Sequence, residues 1–216
     1  MPAVLDLVEA VRRADTALGL LQATQALAAA SHPAGAACLV EILGFNNPGA
    51  AVAAVDGLIA IGEPAVDTIL SNIDGYNYGA RAWAVRALAG IGDVRGLAVL
   101  EDALGKDIGP SVRRAAARGL GQLRLAALPE EERRATALRC LQALLDGCRD
   151  GEWVVRYAVV VGLESLATAL EAEIRDGHRQ QLIEALRALH ADPEEEAPVV
   201  QLRAALALQR LEGVHG

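Results

Sequence analysis

Aromatic side chains are scarce in this sequence. Of its 216 residues 53% are hydrophobic, yet only 3% are aromatic, which leaves alanine, leucine and valine to fill a core. Small and aliphatic side chains suit helices that pack closely, and the alternating β-branched runs that are typical of strands are rare. The composition therefore predicts a helical protein without β-sheets.

Positive charge is also in short supply. The formal net charge is −8, and Lys106 is the only lysine, so arginine carries nearly all of the positive charge. A general nucleic-acid-binding protein needs a surplus of basic residues on some face to neutralise phosphates. We therefore expect no nucleic-acid partner. Arginine favours bidentate pairing with carboxylates and stacking on planar groups.

Signals that would direct the chain out of the cytoplasm are lacking. Cys38, Cys140 and Cys148 are an odd number of cysteines without metal-binding spacing, which favours a reducing compartment. No apolar run approaches the ~20 residues of a membrane-spanning helix, and the first residues lack the basic start of a signal peptide. The sequence predicts a cytoplasmic protein with no membrane segment.

The stretch 74–123 contains an internal repeat. Four of its positions recur 32 residues later with the same character: Arg81, Arg86, Leu88 and Ile91 correspond to Arg113, Arg118, Leu120 and Leu123. A further copy follows at 150–170, shifted by 43 residues. A helical repeat of this length is typical of solenoids. We predict an all-α, right-handed α-solenoid of about six HEAT-like helical hairpins, forming one elongated domain over 1–216.

Apolar periodicity and helix-breaking residues predict the individual helices. We expect helices at 4–30, 34–43, 50–61, 130–145, 150–170 and 199–211. Gly44, Gly62 and Gly92 stand where a left-handed C-cap favours glycine. The acidic run 192–196 is interpreted as a helix start, with Asp192 as N-cap and Pro193 as the first helical residue, and not as a metal site. No metal ligand set is predicted, since the four histidines lie far apart.

Three arginines follow an aspartate at similar spacing. Asp107 precedes Arg113 by six residues, Asp150 precedes Arg156 by six, and Asp74 precedes Arg81 by seven. In HEAT-type repeats an aspartate in the turn and an arginine early in the next helix form a ladder between neighbouring repeats. Because buried charges need partners, structural pairing is favoured for these arginines. A ligand-binding role is the alternative.

The few aromatic residues cluster. Trp83 occupies a position that holds an alanine in three other copies, at Ala53, Ala115 and Ala158. A large flat side chain there either fills space in the core or lies along a groove. Tyr76 and Tyr78 flank it. A possible second cluster comprises Trp153, Arg156 and Tyr157.

Four segments together resemble a known family. They are 45–55, the run Tyr76 to Ala84 (Tyr-Asn-Tyr-Gly-Ala-Arg-Ala-Trp-Ala), 111–117 and 153–158. They are similar to the F-type (beta) subunits of the heterodimeric phycobilin lyases, and the likeness covers most of the chain. The run that contains Trp83 is far more specific than generic HEAT spacing.

The resemblance implies a lyase subunit that works with an E-type partner, itself a helical-repeat protein. Together they would attach phycocyanobilin to a cysteine of the α-phycocyanin subunit in a cyanobacterial-type cell, with weak or no activity for one subunit alone. Phycocyanobilin would be the substrate, and no cofactor is implied. Relatives that also isomerise the bilin carry a His-Cys stretch, whereas 46–49 here has neither residue, so we expect attachment without isomerisation. The alternative is a non-catalytic HEAT adaptor or chaperone for phycobiliproteins.

The resemblance and the aromatic cluster lead to specific roles for six residues. Trp83 and Tyr78 would stack on bilin rings, while Arg81 or Arg86 would pair with a propionate. In the catalytic roles, Tyr76 would relay a proton and Asp74 would accept the pyrrole N–H groups. These roles are hypotheses from residue type and position.

Overall fold

The fold is described from a computed structural model, which describes positions 3–73, 77–169 and 177–213. These residues hold twelve α-helices and no strand, so the all-α prediction is confirmed. They form two compact units, Met1–Gly96 and Leu97–Gly216. The prediction of one continuous domain over 1–216 stays a prediction.

The first unit contains six helices. They are α1 (Val4–Arg13), α2 (Ala17–Ala29), α3 (Ala36–Ile42), α4 (Pro48–Ile61), α5 (Val66–Asn72) and α6 (Tyr78–Ile91). The even-numbered helices α2, α4 and α6 pack side by side in one layer, and α3 and α5 pack against each other in a second. Small residues allow this close packing, since a Cβ at Gly57 would lie only 2.7 Å from the Cβ of Ala28.

The second unit contains the other six helices. They are α7 (Leu97–Lys106), α8 (Pro110–Leu120), α9 (Glu130–Gly147), α10 (Trp153–Ala169), α11 (Gly177–Ala191) and α12 (Pro198–Gly213). Helices α8, α10 and α12 form an even-numbered layer like that of the first unit, while α7 and α9 pack together. The tightest approach is between α8 and α10, where a Cβ added to Gly121 would overlap the backbone of Gly162.

Two of the three predicted glycine caps are confirmed. Gly62 follows α4 with φ 75° and Gly92 follows α6 with φ 70°. At both positions the backbone N–H bonds back to the helix, to Leu58 and Leu88 respectively. Glycine adopts a positive φ without the steric cost that a Cβ brings. The prediction for Gly44 is wrong, because α3 ends at Ile42 with a right-handed C-cap and Gly44 is not among the positive-φ glycines of the described chain.

Two predicted helix boundaries are wrong. The single helix 4–30 is two helices, because Thr16 takes an extended conformation and its Oγ1 accepts a 3.0 Å hydrogen bond from Gly19 N as the N-cap of α2. The helix start predicted at Asp192 and Pro193 is wrong, whereas the final helix predicted at 199–211 is confirmed and runs from Pro198 to Gly213. Asp192 instead closes a short turn by accepting from Glu194 N. Helix α11 was not predicted.

Candidate functional site

The first aromatic cluster belongs to the start of α6. Asn77 sets where the helix begins, because its Oδ1 accepts a 3.0 Å hydrogen bond from Ala80 N. Tyr78, Arg81, Trp83 and Arg86 then lie on the first three turns. Asp74 and Tyr76, the two predicted catalytic residues, lie outside the described residues.

Trp83 and Arg86 are in direct contact. The guanidinium carbon of Arg86 lies 4.8 Å from the centroid of the Trp83 ring. Trp83 is half-buried and Arg86 is exposed, so neither of the two alternatives for Trp83 describes it fully. A cation–π contact made by an exposed arginine contributes about 0.5–1 kcal/mol. The contact holds a cation beside a partly accessible flat ring.

Arg81 lies on a different side of α6. At 100° per residue, positions 81 and 83 are about 160° apart when measured the short way around the helix, whereas 83 and 86 are about 60° apart. Arg81 is half-buried and already engaged in an interaction. The structure therefore brings Trp83 and Arg86 together and separates Arg81 from them.

Tyr78 and Phe45 add exposed aromatic surface near the start of α6. The side chains are 42% and 49% exposed. A Cβ built on Gly44 would lie 3.0 Å from Asn77 Nδ2, so the turn that carries Phe45 lies against the first turn of α6. No role for Phe45 was predicted from the sequence. The signal that could have found it is that this single phenylalanine sits in a turn, where no core surrounds it.

The turn before α4 is held by Asn47. Its Oδ1 accepts from Ala50 N at 3.1 Å, and its Nδ2 donates to the carbonyl oxygen of Ala17 at 2.9 Å. One side chain thus caps α4 and ties it to the start of α2. This stretch, 46–49, therefore has a structural role in positioning two helices of the even-numbered layer.

Arg156, in the second aromatic cluster, is fully committed to structural bonds. Its Nε and Nη2 donate to the Glu195 carboxylate at 2.7 and 2.6 Å, and its Nη1 donates to the Asp150 carbonyl at 2.7 Å. The Glu195 side chain is 1% exposed. The hydrogen bonds from Arg156 lower the pKa of Glu195 even though burial opposes the shift.

Arg113 repeats this arrangement one hairpin earlier. It donates to both carboxylate oxygens of Asp150, at 2.7 and 2.9 Å, and to the Asp107 carbonyl at 2.9 Å. The predicted ladder between repeats is confirmed for Arg113 and Arg156. Each arginine bonds to the backbone of its own preceding turn and to the carboxylate of the next one.

Trp153 and Tyr157 remain accessible beside this ladder. Trp153 is 46% exposed and Tyr157 is half-buried. Because Arg156 points its donors into Glu195, the second cluster offers aromatic surface without the cation that was grouped with it. The bilin-binding prediction for this cluster stays a prediction.

Comparisons with known proteins agree with this geometry. A family model described as HEAT repeats matches residues 66–164. The chain is 54% identical over 166 residues to the phycocyanin alpha phycocyanobilin lyase CpcF of Synechocystis sp. (strain ATCC 27184 / PCC 6803 / Kazusa), covering 77% of this chain and 78% of that relative. The chain belongs to the F-type phycobilin lyase subunits. The resemblance stated from the sequence is confirmed.

Two further matches extend over more of this F-type subunit or include a solved structure. It is 48% identical over 210 residues to the phycobilisome maturation protein of Synechococcus elongatus (strain ATCC 33912 / PCC 7942 / FACHB-805), covering 95% of this chain and 97% of the relative. A chain in the solved complex of CpcE and CpcF of phycocyanin lyase from Nostoc sp. PCC7120 superposes with a TM-score of 0.72 at 40% identity, covering 81% of this chain and 98% of that one.

The cysteines of this F-type subunit are poor nucleophiles. Burial raises the pKa of both Cys140 and Cys148 to about 12, and the neighbouring Arg149 lowers the Cys148 value only in part. A thiol with such a pKa is protonated at neutral pH.

Two other kinds of site were sought in the F-type subunit. Within 3–73, 77–169 and 177–213, no group of three or more His, Cys, Asp or Glu side chains is placed to hold a metal ion. In the same ranges no single helix is long and apolar enough to cross a membrane. One bent pair, Pro48–Ile61 with Glu63–Asn72 at 119°, meets the length and composition test when taken together.

Proposed function

We propose that this protein is one subunit of a phycobilin lyase that, with an E-type partner, attaches phycocyanobilin to a cysteine of the phycocyanin α subunit. The observation that carries the proposal is the 54% identity to a relative named phycocyanin alpha phycocyanobilin lyase CpcF. The match to a chain in a CpcE–CpcF complex supports the E-type partner. The reaction takes place in the cytoplasm of a cell that builds phycobilisomes.

The reaction is the addition of a thiol to a carbon–carbon double bond. The acceptor cysteine, as thiolate, forms a C–S bond with the ethylidene carbon on ring A of the bilin. The double bond becomes a single bond, and a proton is delivered to the ring carbon, so no oxidant or reductant is consumed. The lyase needs only to hold the bilin, orient it and exclude water and competing reactions.

The described residues that fit this task best lie on α6. The accessible part of the Trp83 ring and the exposed Tyr78 offer flat apolar surface for the pyrrole rings. Arg86, whose guanidinium is positioned by the Trp83 ring, supplies a cation for a propionate. Arg81 has the weaker claim because it lies on another side of the helix. The roles of Tyr76 and Asp74 stay predictions.

An open site explains the need for a partner. Tyr78 and Phe45 are 42% and 49% exposed, so this unit offers a surface and not an enclosed pocket for a large apolar substrate. Ligand sites of this kind usually bury most of the ligand's surface. The E-type subunit would supply the missing walls. Phycocyanobilin is bound as the substrate, and no cofactor is required.

The test is coexpression with an E-type subunit, the phycocyanin α subunit and a phycocyanobilin-producing pathway. We expect zinc-enhanced bilin fluorescence on the denatured α band, and an absorbance spectrum of the denatured adduct typical of unisomerised phycocyanobilin. An equally strong band when this chain is omitted would remove the lyase role. An adduct with the spectrum of an isomerised bilin would remove the proposal of simple attachment.

The second candidate is a non-catalytic adaptor for phycobiliproteins. It is favoured by the 48% identity to a relative named phycobilisome maturation protein. An adaptor would bind the α subunit without accelerating attachment. One titration with purified components distinguishes the two functions. Only a lyase subunit lowers the concentrations of partner and bilin that adduct formation needs.

A further inference from the structure

Three neighbouring helices of the second unit present matched pairs of side chains one helical turn apart. Helix α8 carries Arg114 and Arg118, and α12 carries Leu202 and Leu206; all four are exposed. Between these helices, α10 presents Trp153 and Tyr157, the accessible aromatics of the second cluster. Residues four apart lie on the same side of a helix. We call these six residues the α8–α12 face.

The repeat spacing aligns one member of each pair across the layer, whereas Arg118 and Leu206 both correspond to Val161 on α10. Asp107 and Asp150 occupy equivalent turns 43 residues apart, and Asp150 and Glu195 occupy equivalent turns 45 residues apart (150 to 195). The same spacings carry Arg114 to Tyr157 and Tyr157 to Leu202. The α8–α12 face therefore runs from a basic edge, across an aromatic centre, to an aliphatic edge.

Neither arginine of the basic edge forms an ion pair within the described chain, although the charge of Glu152, in the turn before α10, reaches the adjacent Arg113. Arg114 and Arg118 make no ion pair or hydrogen bond with any described side chain, whereas Arg113 beside them is fully bonded. Helices α8, α10 and α12 contain two acidic residues, Glu164 and Glu212, and both already pair with arginines. A second copy of this face would bring no free acid to the arginines, so the face is complementary to a partner surface that carries acidic residues.

The dimensions fit one helix. Packed helices lie 8–10 Å apart, so the two edges of the face are separated by about 20 Å. A helix with its side chains is about 10–12 Å wide and could lie over α10 between the edges. Such an occupant would place apolar residues over Tyr157 and Leu202 and acidic residues beside Arg114 and Arg118.

We propose that the α8–α12 face is the docking surface for the acceptor polypeptide, through an amphipathic helix with an acidic edge. The proposal rests on the proposed function for the identity of the acceptor. Exposed arginines at the edge of a modest apolar strip are typical of interfaces that form and dissociate, since permanent subunit contacts are larger and more apolar at their centre. An acceptor has to leave after each attachment, whereas the E-type subunit stays.

The test uses the heterodimer of this chain with an E-type subunit and the phycocyanin α apoprotein. The variants are Arg114→Glu with Arg118→Glu, and separately Leu202→Asp. The matched control is Arg124→Glu with Arg134→Glu, two exposed arginines outside this face that make no ion pair with the described chain and give the same change in net charge. Three quantities are measured: acceptor affinity without bilin, KM and kcat for the acceptor, and bilin affinity by absorbance.

We expect the α8 double variant to weaken acceptor affinity and raise the acceptor KM about tenfold or more, because two attractive charge pairs become repulsive. Leu202→Asp should raise KM by a similar factor. The kcat at saturating acceptor and the bilin affinity should stay within about twofold of wild type, as they should throughout for the control.

Other results would overturn the proposal. A KM equal to that of the control variant would show that the face does not bind the acceptor. Loss of bilin affinity would show that the arginines pair with propionates, and loss of heterodimer on gel filtration would show that the face binds the E-type subunit. If the wild-type protein transfers no bilin, the proposed function is wrong. The direct titration with the acceptor still decides whether the α8–α12 face binds the acceptor.

Discussion

Arg86 on α6 and Arg156 on α10 show two different uses of arginine on even-numbered helices. Arg156 donates hydrogen bonds to a buried carboxylate and to a backbone carbonyl. Arg86 makes no hydrogen bond with the described residues and instead lies over the Trp83 ring. The first arrangement bonds all three nitrogens of the guanidinium to protein oxygens, whereas the second holds the guanidinium in place and leaves its N–H groups without a hydrogen bond to the described residues.

This difference indicates where a ligand carboxylate can bind. A carboxylate approaching Arg156 would have to displace Glu195, which is 1% exposed and would be left charged and buried. A carboxylate approaching Arg86 has no described carboxylate to displace. Arginine alone is therefore not the signal for a binding site, and the partners that it already has decide its role.

The largest expected effect is on stability. Arg156→Met should lower the free energy of unfolding by about 3–5 kcal/mol, because it leaves Glu195 buried without its partner. Urea unfolding followed by circular dichroism measures this. Arg149→Met, at an exposed position with no ion pair to the described part of the chain, should change stability by no more than about 0.5 kcal/mol. If Arg156→Met and Arg149→Met lower the free energy of unfolding equally, the ion pair of Arg156 does not stabilise the fold as inferred.

Trp83→Ala is expected to affect both stability and binding. The indole is half-buried, so the loss in unfolding free energy should stay below the about 3–5 kcal/mol that a fully buried aromatic costs. Bilin affinity of the heterodimer should fall about tenfold through lost stacking. If unfolding shows the full loss while the folded fraction transfers bilin normally, Trp83 is a core residue and its ring-stacking role is wrong.

Arg86→Met should lower the affinity for bilin while changing the stability of the fold only slightly. The cation–π contact at this exposed site accounts for only about 0.5–1 kcal/mol of folding stability. Bilin affinity should nevertheless fall about tenfold, because the variant removes the propionate partner. Arg86→Lys keeps the charge without the planar fork and should recover part of the affinity. An unchanged affinity in Arg86→Met would transfer the propionate role to another cation.

The smallest effect is in the pH dependence of stability. Hydrogen bonds from Arg156 hold the pKa of Glu195 below the ordinary glutamate value of about 4.3. A lowered folded-state pKa contributes stability above the unfolded value and loses it as pH falls through the folded value. The stability gap between wild type and Arg156→Met should therefore narrow below about pH 4.3. A constant gap between pH 6 and pH 3 would contradict this linkage.

Much of the fold could be predicted because residues close together in the sequence define each repeat. The aspartate and arginine spacing predicted the ladder at Arg113 and Arg156, and glycine predicted the two positive-φ caps. The break at Thr16 was missed because apolar residues continue on both sides of it and hide the cap. Pro193 and Pro198 are both able to begin a helix, but local bonds to Asp192 and the tertiary bond from Arg156 to Glu195 hold 192–197 in a turn.

The candidate site was predictable as a region but not in detail. Clustering of rare aromatics pointed to α6, yet sequence distance grouped Arg81 with Trp83, although the helix turns them to different sides. Phe45 is distant in sequence, and only folding brings its turn against Asn77. Which arginines are already bonded depends on acids 37 and 39 residues away, as with Asp150 and Glu195.

The contact between Gly121 and Gly162 has a mechanical consequence. Helices α8 and α10 meet there backbone to backbone, with no side chain between them. Contacts made by side chains can adjust by changing rotamers, but two backbones in contact cannot approach each other more closely. This contact therefore sets the distance between the arginines on α8 and the aromatic residues on α10.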